Sequence, residues 1–494
     1  MQTASSIRVL TTAALLGAVT SFACQPPAEE SSVSAVAEIP ISTTSDEARE
    51  AFVAGRDLNE RLRGTDANEY FDRAVELDPE FAWAHLLAGF TGSTNQEFFD
   101  SLARAVELVD QVSEGERLLI LATQAGVNGE PEEQRAHLTR LVESYPADKR
   151  AHNALGGFYF GRQEYQKSIA HYQHAVEIDP GYSAPYNQMG YAHRFLGDFD
   201  AAEAAFRRYI ELIPNDANPY DSYAELLMKT GRFEESIDNY RRALEADEHF
   251  IASYAGIAHN QAFLGEGEAA RATLATLREK ARNVGEERAS LFWTVLTYVH
   301  EGDYEAALAS CGERRSLAEG GGDWAAVTGD LNLTGDLLLE AGRLDDASAA
   351  YDKSIAAIEK ANVRDEVKQR VRRNILYDRV RVLLARGNLD GARDIAASYG
   401  EAVAARGIPF EQRRHHDLQG RLAMATGDAA AAVTHLQQAN QQNPRVLLLL
   451  AEAYRDQGMV DQAREFAARA ADFNGLGMNY AYARAAAKEL QKEL

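Results

Sequence analysis

From Lys149 onward the chain repeats its own pattern. Apolar and small residues recur every three or four positions in KRAHNALGGFYFGRQEYQKSIAHYQHAVEIDPGY, again in SAPYNQMGYAHRFLGDFDAAEAAFRRYIELIPND, and again in ANPYDSYAELLMKTGRFEESIDNYRRALEADEHF. That spacing predicts amphipathic helices. Each unit carries two apolar stripes, split near the middle by Gly161, Gly197 or Gly231 with an aromatic close behind, so each reads as two helices joined by a turn. On a 34-residue register, position 8 holds Gly156, Gly190 and Ala224, and position 20 holds Ser168, Ala202 and Ser236. Position 24 holds Tyr172, Phe206 and Tyr240, and position 27 holds Ala175, Tyr209 and Ala243. Small residues at 8 and 20 let the two helices approach, and the aromatic at 24 is expected to fill the space between neighbouring units. Pro180 and Pro214 at position 32 end the second helix because proline offers no amide donor and clashes with the preceding turn. The third unit has Glu248 there.

These residues resemble the tetratricopeptide repeat. The register extends upstream to a unit beginning at Ala48, with Gly55, Ala67, Phe71, Ala74 and Pro79 in place, preceded by Thr44-Ser45-Asp46-Glu47, which reads as a capping box through Thr44 and Glu47. Units near Ala82 and Gly115 fit more loosely; the latter keeps Pro146 but has Leu138 in the aromatic place. Downstream, units start near Ile251, Arg288, Thr328, Arg373 and Arg413, and a last one runs through Tyr454, Gly458 and Ala463. Intervals there stretch to as many as 45 residues, so either the helices or their connections lengthen. The resemblance implies an all-α fold, a right-handed α-α superhelix of about twelve helical pairs. Residues 45–284 form the regular array, 285–477 an irregular one, and 478–494 a helix capping the open stack.

Length alone suggests about three domains for 494 residues, but the repeat makes one continuous body. The twelve prolines fit a chain of few interruptions, and the net charge of −24 argues against a nucleic-acid surface. The N-terminus departs from the repeat. Arg8 precedes an apolar run from Val9 to Ala23, too short for a membrane span, and Ser21-Phe22-Ala23-Cys24 has small residues around a cut after Ala23. Residues 1–23 read as a signal peptide. Cys24 resembles the acylated first residue of bacterial lipoproteins, and the polar segment 24–44 then forms a flexible tether. Ser21 stands where such signals usually have Leu, and plain secretion, or a soluble periplasmic protein, is the alternative. The expected location is the bacterial cell envelope, on a membrane through the N-terminal lipid. Cys311 is the other cysteine.

By resemblance, positions 2, 5, 6, 9, 12 and 13 of the first helices line a concave groove. They place Arg150, Asn153, Phe160, Asn187, Gln188, Tyr191, Arg194, Asn218, Asp221, Ser222, Glu225, Lys229 and His259 there. Asp221 and Glu225 disfavour a carboxylate clamp, whereas side-chain amides that both donate and accept suit an extended peptide. Catalytic motifs fail on inspection. His300-Glu301-Gly302-Asp303-Tyr304 lacks the second histidine of a zinc protease. His171 with His174, and His415-His416-Asp417, lack a further ligand. Gly265-Glu266-Gly267 follows no strand and reads as an inter-helix turn. Lys368, Arg370, Arg372, Arg373, Arg379, Arg381 and Arg386 face only Asp378 locally, a solvated exterior or a contact for anionic lipid. No cofactor and no metal is expected. The expected function is a non-catalytic scaffold for a protein or peptide; the alternative is an accessory subunit of an envelope-processing enzyme or a membrane assembly complex.

Overall fold

The computed structural model describes residues 38–92, 95–475 and 477–494. The signal peptide, Cys24 and the tether up to residue 37 lie outside the described residues. Helices account for the rest almost entirely, and no strand occurs among the described residues. They pair in chain order. The first pairs are α1 (Asp46–Asn59) with α2 (Gly64–Leu77), α3 (Ala82–Thr91) with α4 (Asn95–Glu107), and α5 (Glu114–Asn128) with α6 (Pro131–Ser144). The regular units follow: α7 (Lys149–Gly161) with α8 (Tyr165–Ile178), α9 (Ser183–Leu196) with α10 (Phe199–Leu212), and α11 (Ala217–Lys229) with α12 (Phe233–Ala246). Next come α13 (Ile251–Leu264) with α14 (Gly267–Glu279), α15 (Val284–Glu301) with α16 (Tyr304–Gly320), and α17 (Trp324–Glu340) with α18 (Leu344–Lys360). The last are α19 (Asp365–Ala385) with α20 (Leu389–Ala404), α21 (Pro409–Ala425) with α22 (Ala429–Leu436), and α23 (Pro444–Asp456) with α24 (Val460–Ala471), closed by α25 (Met478–Glu493). Twelve pairs and a terminal helix make an all-α superhelix.

Local chemistry sets the turns. Gly197, Gly302, Gly387 and Gly427 take φ between +73° and +81°, which glycine adopts without a Cβ penalty. Each is followed by Asp198, Asp303, Asn388 or Asp428, whose side chain accepts from an amide in the first turn of the next helix. At the start of the array the cap is Ser45, which accepts from the Ala48 amide at 3.1 Å; the box expected on Thr44 and Glu47 does not form, because α1 begins at Asp46 and the residue three after the cap, Ala48, has no side-chain acceptor.

Small residues and aromatics interlock within the unit more than between units. A Cβ on Gly156, Gly190 or Gly335 would fall 2.4–2.7 Å from the ring of Tyr172, Phe206 or Tyr351, so the position-24 ring lies against the position-8 glycine of its own pair. Where position 8 is Ala224, Tyr240 leans on Gly256 of the next unit instead. Position 20 adds a hydrogen bond: Ser168 Oγ donates to Gly156 O at 2.9 Å and Ser236 Oγ to Ala224 O at 2.7 Å. A second device closes the joints between units. His152, Tyr220 and Tyr254 bond the carbonyl six residues back, on Pro146, Pro214 and Glu248, at 2.9–3.1 Å. The joint therefore survives the loss of proline in the third unit.

The longer downstream intervals come from the helices. α15, α17, α19 and α21 run 17 to 21 residues, against 13 or 14 in the regular units α7–α13. At the other end, residues 38–44, within the expected tether, are strapped onto the array. Ile39 N donates to Asp148 Oδ2 at 2.8 Å, Ser42 N to Glu116 Oε1 at 2.8 Å, and Thr43 Oγ1 to Asp78 Oδ2 at 2.5 Å. Ile39 packs so closely on Gly115 that a Cβ there would sit 2.6 Å from its Cγ2.

Candidate ligand-binding groove

The first helices α7, α9, α11 and α13 carry the predicted groove residues, and most of these are already engaged with one another. Arg194 pairs with Glu225 at 2.9 Å and lies over the Tyr191 ring. Tyr191 Oη donates to Ser222 Oγ at 3.3 Å, and Ser222 Oγ donates to Asn218 Oδ1 at 3.1 Å. Buried Asp221 accepts from Ser253 Oγ at 2.7 Å; burial, reinforced by Glu225, pushes its carboxyl up to about 7. Burial likewise raises the Tyr191 hydroxyl. Arg150 is committed elsewhere: its Nε donates to Glu60 Oε1 at 2.6 Å, at the end of α1. Phe160 packs edge-on against Tyr165 and Phe195.

Three polar side chains in this set hold hydrogen-bonding capacity in reserve. Asn153 and Asn187 occupy equivalent positions on α7 and α9, and neither side-chain carbonyl finds a partner. Gln188 stands half-exposed beside them. An unsatisfied buried carbonyl costs about 1–3 kcal/mol; both oxygens are shielded from solvent, so an occupant that supplies donors reaches them only when the side chains turn outward.

The far end of the predicted groove is filled by the chain itself. The segment after α24 crosses the concave side and packs on α11, α13 and α15. Lys229 Nζ donates to Phe473 O and lies 3.9 Å from the centre of its ring; burial lowers its amine to about 8. Tyr480 is fully buried against Met228 and Phe263, and Arg484 donates to Phe263 O at 3.0 Å. Ala481, Met478 and Tyr482 join the core of α15 and α17, while Ala487 and Leu490 pack back on α23 and α24. α25 thus covers the last pair and braces the middle of the array. His259 is sealed under this layer, with burial lowering its imidazole to about 4.

Beyond α25 lies a recess that the groove positions assigned to the regular units did not reach. It encloses about 350 Å³ between α17, α19, α21, the loop before α23 and α25. Its walls are charged. Arg381 bonds Asp336 at 2.7 Å, Asp378 at 3.2 Å and Glu340 at 3.0 Å. Arg421 pairs with Asp417 at 2.9 Å, and Asp417 also accepts from Tyr377 Oη. Arg445 reaches Glu340 at 2.5 Å.

Arg381 comes from the basic stretch, and its pairing is typical of that stretch. Arg372 bonds Glu359 at 2.5 Å, Arg373 bonds Glu411 at 3.4 Å, Arg379 bonds Asp352 at 2.7 Å and Arg386 bonds Asp345 at 2.5 Å. Carboxylates on α17, α18 and α21 thus neutralise charges that look isolated along the chain.

The histidine pairs read differently in space. His152 of α7 joins His171 and His174, with ring centres 5.3–5.8 Å apart. His416 meets His435, nitrogen to nitrogen, at 3.2 Å. No group of three His, Cys, Asp or Glu among the described residues is arranged to hold a metal ion. Gly265 forms the left-handed turn between α13 and α14, and His300 packs against Phe263 and Tyr480. No helix among the described residues is long and apolar enough to cross a membrane.

Four family profiles, all described as tetratricopeptide repeat, match residues 150–215, 187–249, 375–398 and 423–487. Among curated proteins none matches the chain. Similar solved structures include a tetratricopeptide repeat protein from Parabacteroides merdae, at 13% identity over 55% of this chain and 94% of that one, TM-score 0.35. MamA from Desulfovibrio magneticus RS-1, residue 41 to its end, is 14% identical over 33% of this chain and 92% of its own, TM-score 0.30. YrrB, described as a TPR protein with an unusual peptide-binding site, is 16% identical over 36% of this chain and 91% of its own, TM-score 0.28.

Proposed function

This chain is a tetratricopeptide repeat protein and so a protein-interaction scaffold, and from that premise we propose that it holds an extended peptide segment of a partner along α7, α9 and the first turns of α11, without catalysing a reaction on it. The observation that supports this reading is half-exposed Gln188 flanked by the equivalent amides Asn153 and Asn187, whose shielded carbonyls have no partner and gain one by turning to an occupant. A peptide backbone presents donors and acceptors at regular intervals, and side-chain amides match both. The surrounding pairs, Arg194 with Glu225 and Ser253 with Asp221, hold the helices in register and leave little net charge to attract a strongly charged tail. A photo-crosslinking residue at Gln188 is expected to capture a partner that the same residue at exposed Glu211 on the outer helix α10 does not. Equal capture at both positions would sink the groove assignment.

The scaffold works from a membrane surface in the cell envelope. Support comes from the apolar run Val9–Ala23 and the Ser21-Phe22-Ala23-Cys24 sequence, which suit cleavage and acylation at Cys24. Two or three acyl chains, at about 0.8 kcal/mol per buried methylene, suffice for durable attachment. Mass spectrometry of the mature N-terminus from native membranes is expected to find Cys24 first and acylated; a bare Cys24, or a different first residue, refutes it.

A further inference from the structure

We propose that the recess between α17, α19, α21 and α25 binds a small polar molecule through an anionic oxygen group, a carboxylate or a phosphate, seated at Arg413 and Arg414. A volume of about 350 Å³ lies within the ordinary range for small-ligand sites. Five arginines line it, and three of them are already answered: Arg381, Arg421 and Arg445 each hold a carboxylate.

The other two are not. Arg414 donates to Asn374 Oδ1, a neutral acceptor, at 2.7 Å and stands over the Tyr377 ring at 4.1 Å. Arg413 has no acidic partner, and its Nε, shielded from solvent, has no hydrogen bond. Guanidinium stays charged at any physiological pH and presents its donors as a fork shaped to carboxylate and phosphate. A half-buried cation without a counter-ion is costly, so an anion from solution completes the site.

In a chain of net charge −24, two adjacent cations with no directly bonded carboxylate are contrary to the general composition; Arg414 feels Asp378 only at longer range. The carboxylates in the walls do not reverse this. Asp336, Asp378 and Asp417 are each bonded to an arginine, and burial beside Asp336 raises the Asp378 carboxyl above its ordinary range. The remaining lining suits hydroxyl or amide groups on the same ligand. Asn440, Gln442 and Asn479 border the space, while the unpaired Asn332 carbonyl lies shielded within its wall. Phe410, 52% exposed, stands among the lining residues as an apolar face.

The recess is walled by helices other than those of the peptide groove, with Arg413 within electrostatic reach of Tyr165 at the groove's edge; anion titration and crosslinking at Gln188 read the two proposals separately. The test uses the whole mature chain in calorimetric titrations with inorganic phosphate and with succinate, against sodium chloride at equal ionic strength. One equivalent of phosphate or succinate is expected to bind, and R413Q to weaken binding at least tenfold. R370Q, on exposed surface outside the recess, is expected to leave it unchanged. Arg413 makes no ion pair, so R413Q should fold as the parent does; circular dichroism checks this, and R413K, which keeps charge but not the fork, is expected to fall between. Binding of phosphate alone assigns a phosphate-bearing ligand, and binding of succinate alone a carboxylate-bearing one. Absence of binding by both anions beyond the chloride control, or equal affinity of R413Q and R370Q, overturns the assignment.

Discussion

Substituting alanine for glycine inside a helix ordinarily stabilises it by about 0.5–1 kcal/mol, because glycine loses more backbone freedom on folding. At Gly256, in the middle of α13, the sign is expected to reverse. A Cβ there would lie 2.1, 2.4 and 2.5 Å from three atoms of the Tyr240 ring. The ring is 1% exposed and packed by Ala224, Ile237 and Ile257, so it must retreat by more than an ångström through filled space, from 2.1 Å, before contact becomes ordinary. Overpacking of this kind typically costs about 1–3 kcal/mol, and the tight contact puts Gly256 near the top of that range. Net of the helix gain, G256A should be destabilised by about 2 kcal/mol. Gly329 in α17 provides the control, since a Cβ there meets nothing within 4 Å; G329A should gain the full helix increment. Repeat arrays do not unfold all at once, so the readout is hydrogen exchange of α12 and α13 amides alongside urea midpoints. The double variant Y240L/G256A should recover part of the loss, giving a favourable coupling between the sites. If G256A is stabilised as much as G329A, the ring-on-glycine account of how units interlock is wrong.

Three further outcomes follow from buried groups. Asp221 has a folded pKa raised to about 7 from 3.8, so the folded state keeps a proton that the unfolded chain releases, and this group's contribution falls as pH rises from about 4 to 7. D221N keeps an oxygen for Ser253, and its stability relative to the parent should grow across that window and level above it; parallel curves would contradict the shift. R381A strands Asp336 and Asp378 in the recess and should cost about 3–5 kcal/mol. R379A, which breaks only the exposed pair with Asp352, should change urea stability by less than about 1 kcal/mol. Y480A should cost about 3–5 kcal/mol and speed exchange of α11 and α13 amides; slowed or unchanged exchange would mean that α25 does not brace them.

The fold was largely legible because the repeat writes its geometry into spacing. The expected unit starts at 82, 149, 183, 217 and 251 coincide with the first residues of α3, α7, α9, α11 and α13. Starts expected near 288, 328, 373 and 413 fall four to eight residues inside α15, α17, α19 and α21, because the extra turns were added ahead of the small residue that marks position 8. The groove was legible as a set of positions but not as a surface. Whether Arg150 is free depends on Glu60, 90 residues away, and whether Lys229 is open depends on Phe473; neither partner has a signature in local periodicity. The recess leaves only a weak signal in the sequence. Carried past residue 284, positions 5, 6 and 9 pick out Asn332, Asp336, Tyr377, Asp378, Arg381, Asp417 and Arg421, several of which look like surface charge when read along one helix.

The bracing by α25 also sets a clock. A stack whose units touch only their neighbours can fold as it leaves the ribosome, each pair settling on the one before. Here Phe263 and Met228 wait for Tyr480, more than two hundred residues later in the chain. At about 5–20 residues per second, that apolar face stays uncovered for roughly 10–40 s in every nascent molecule. Chaperone holding during synthesis, and aggregation of C-terminally truncated products, are the cellular costs of closing a linear array upon itself.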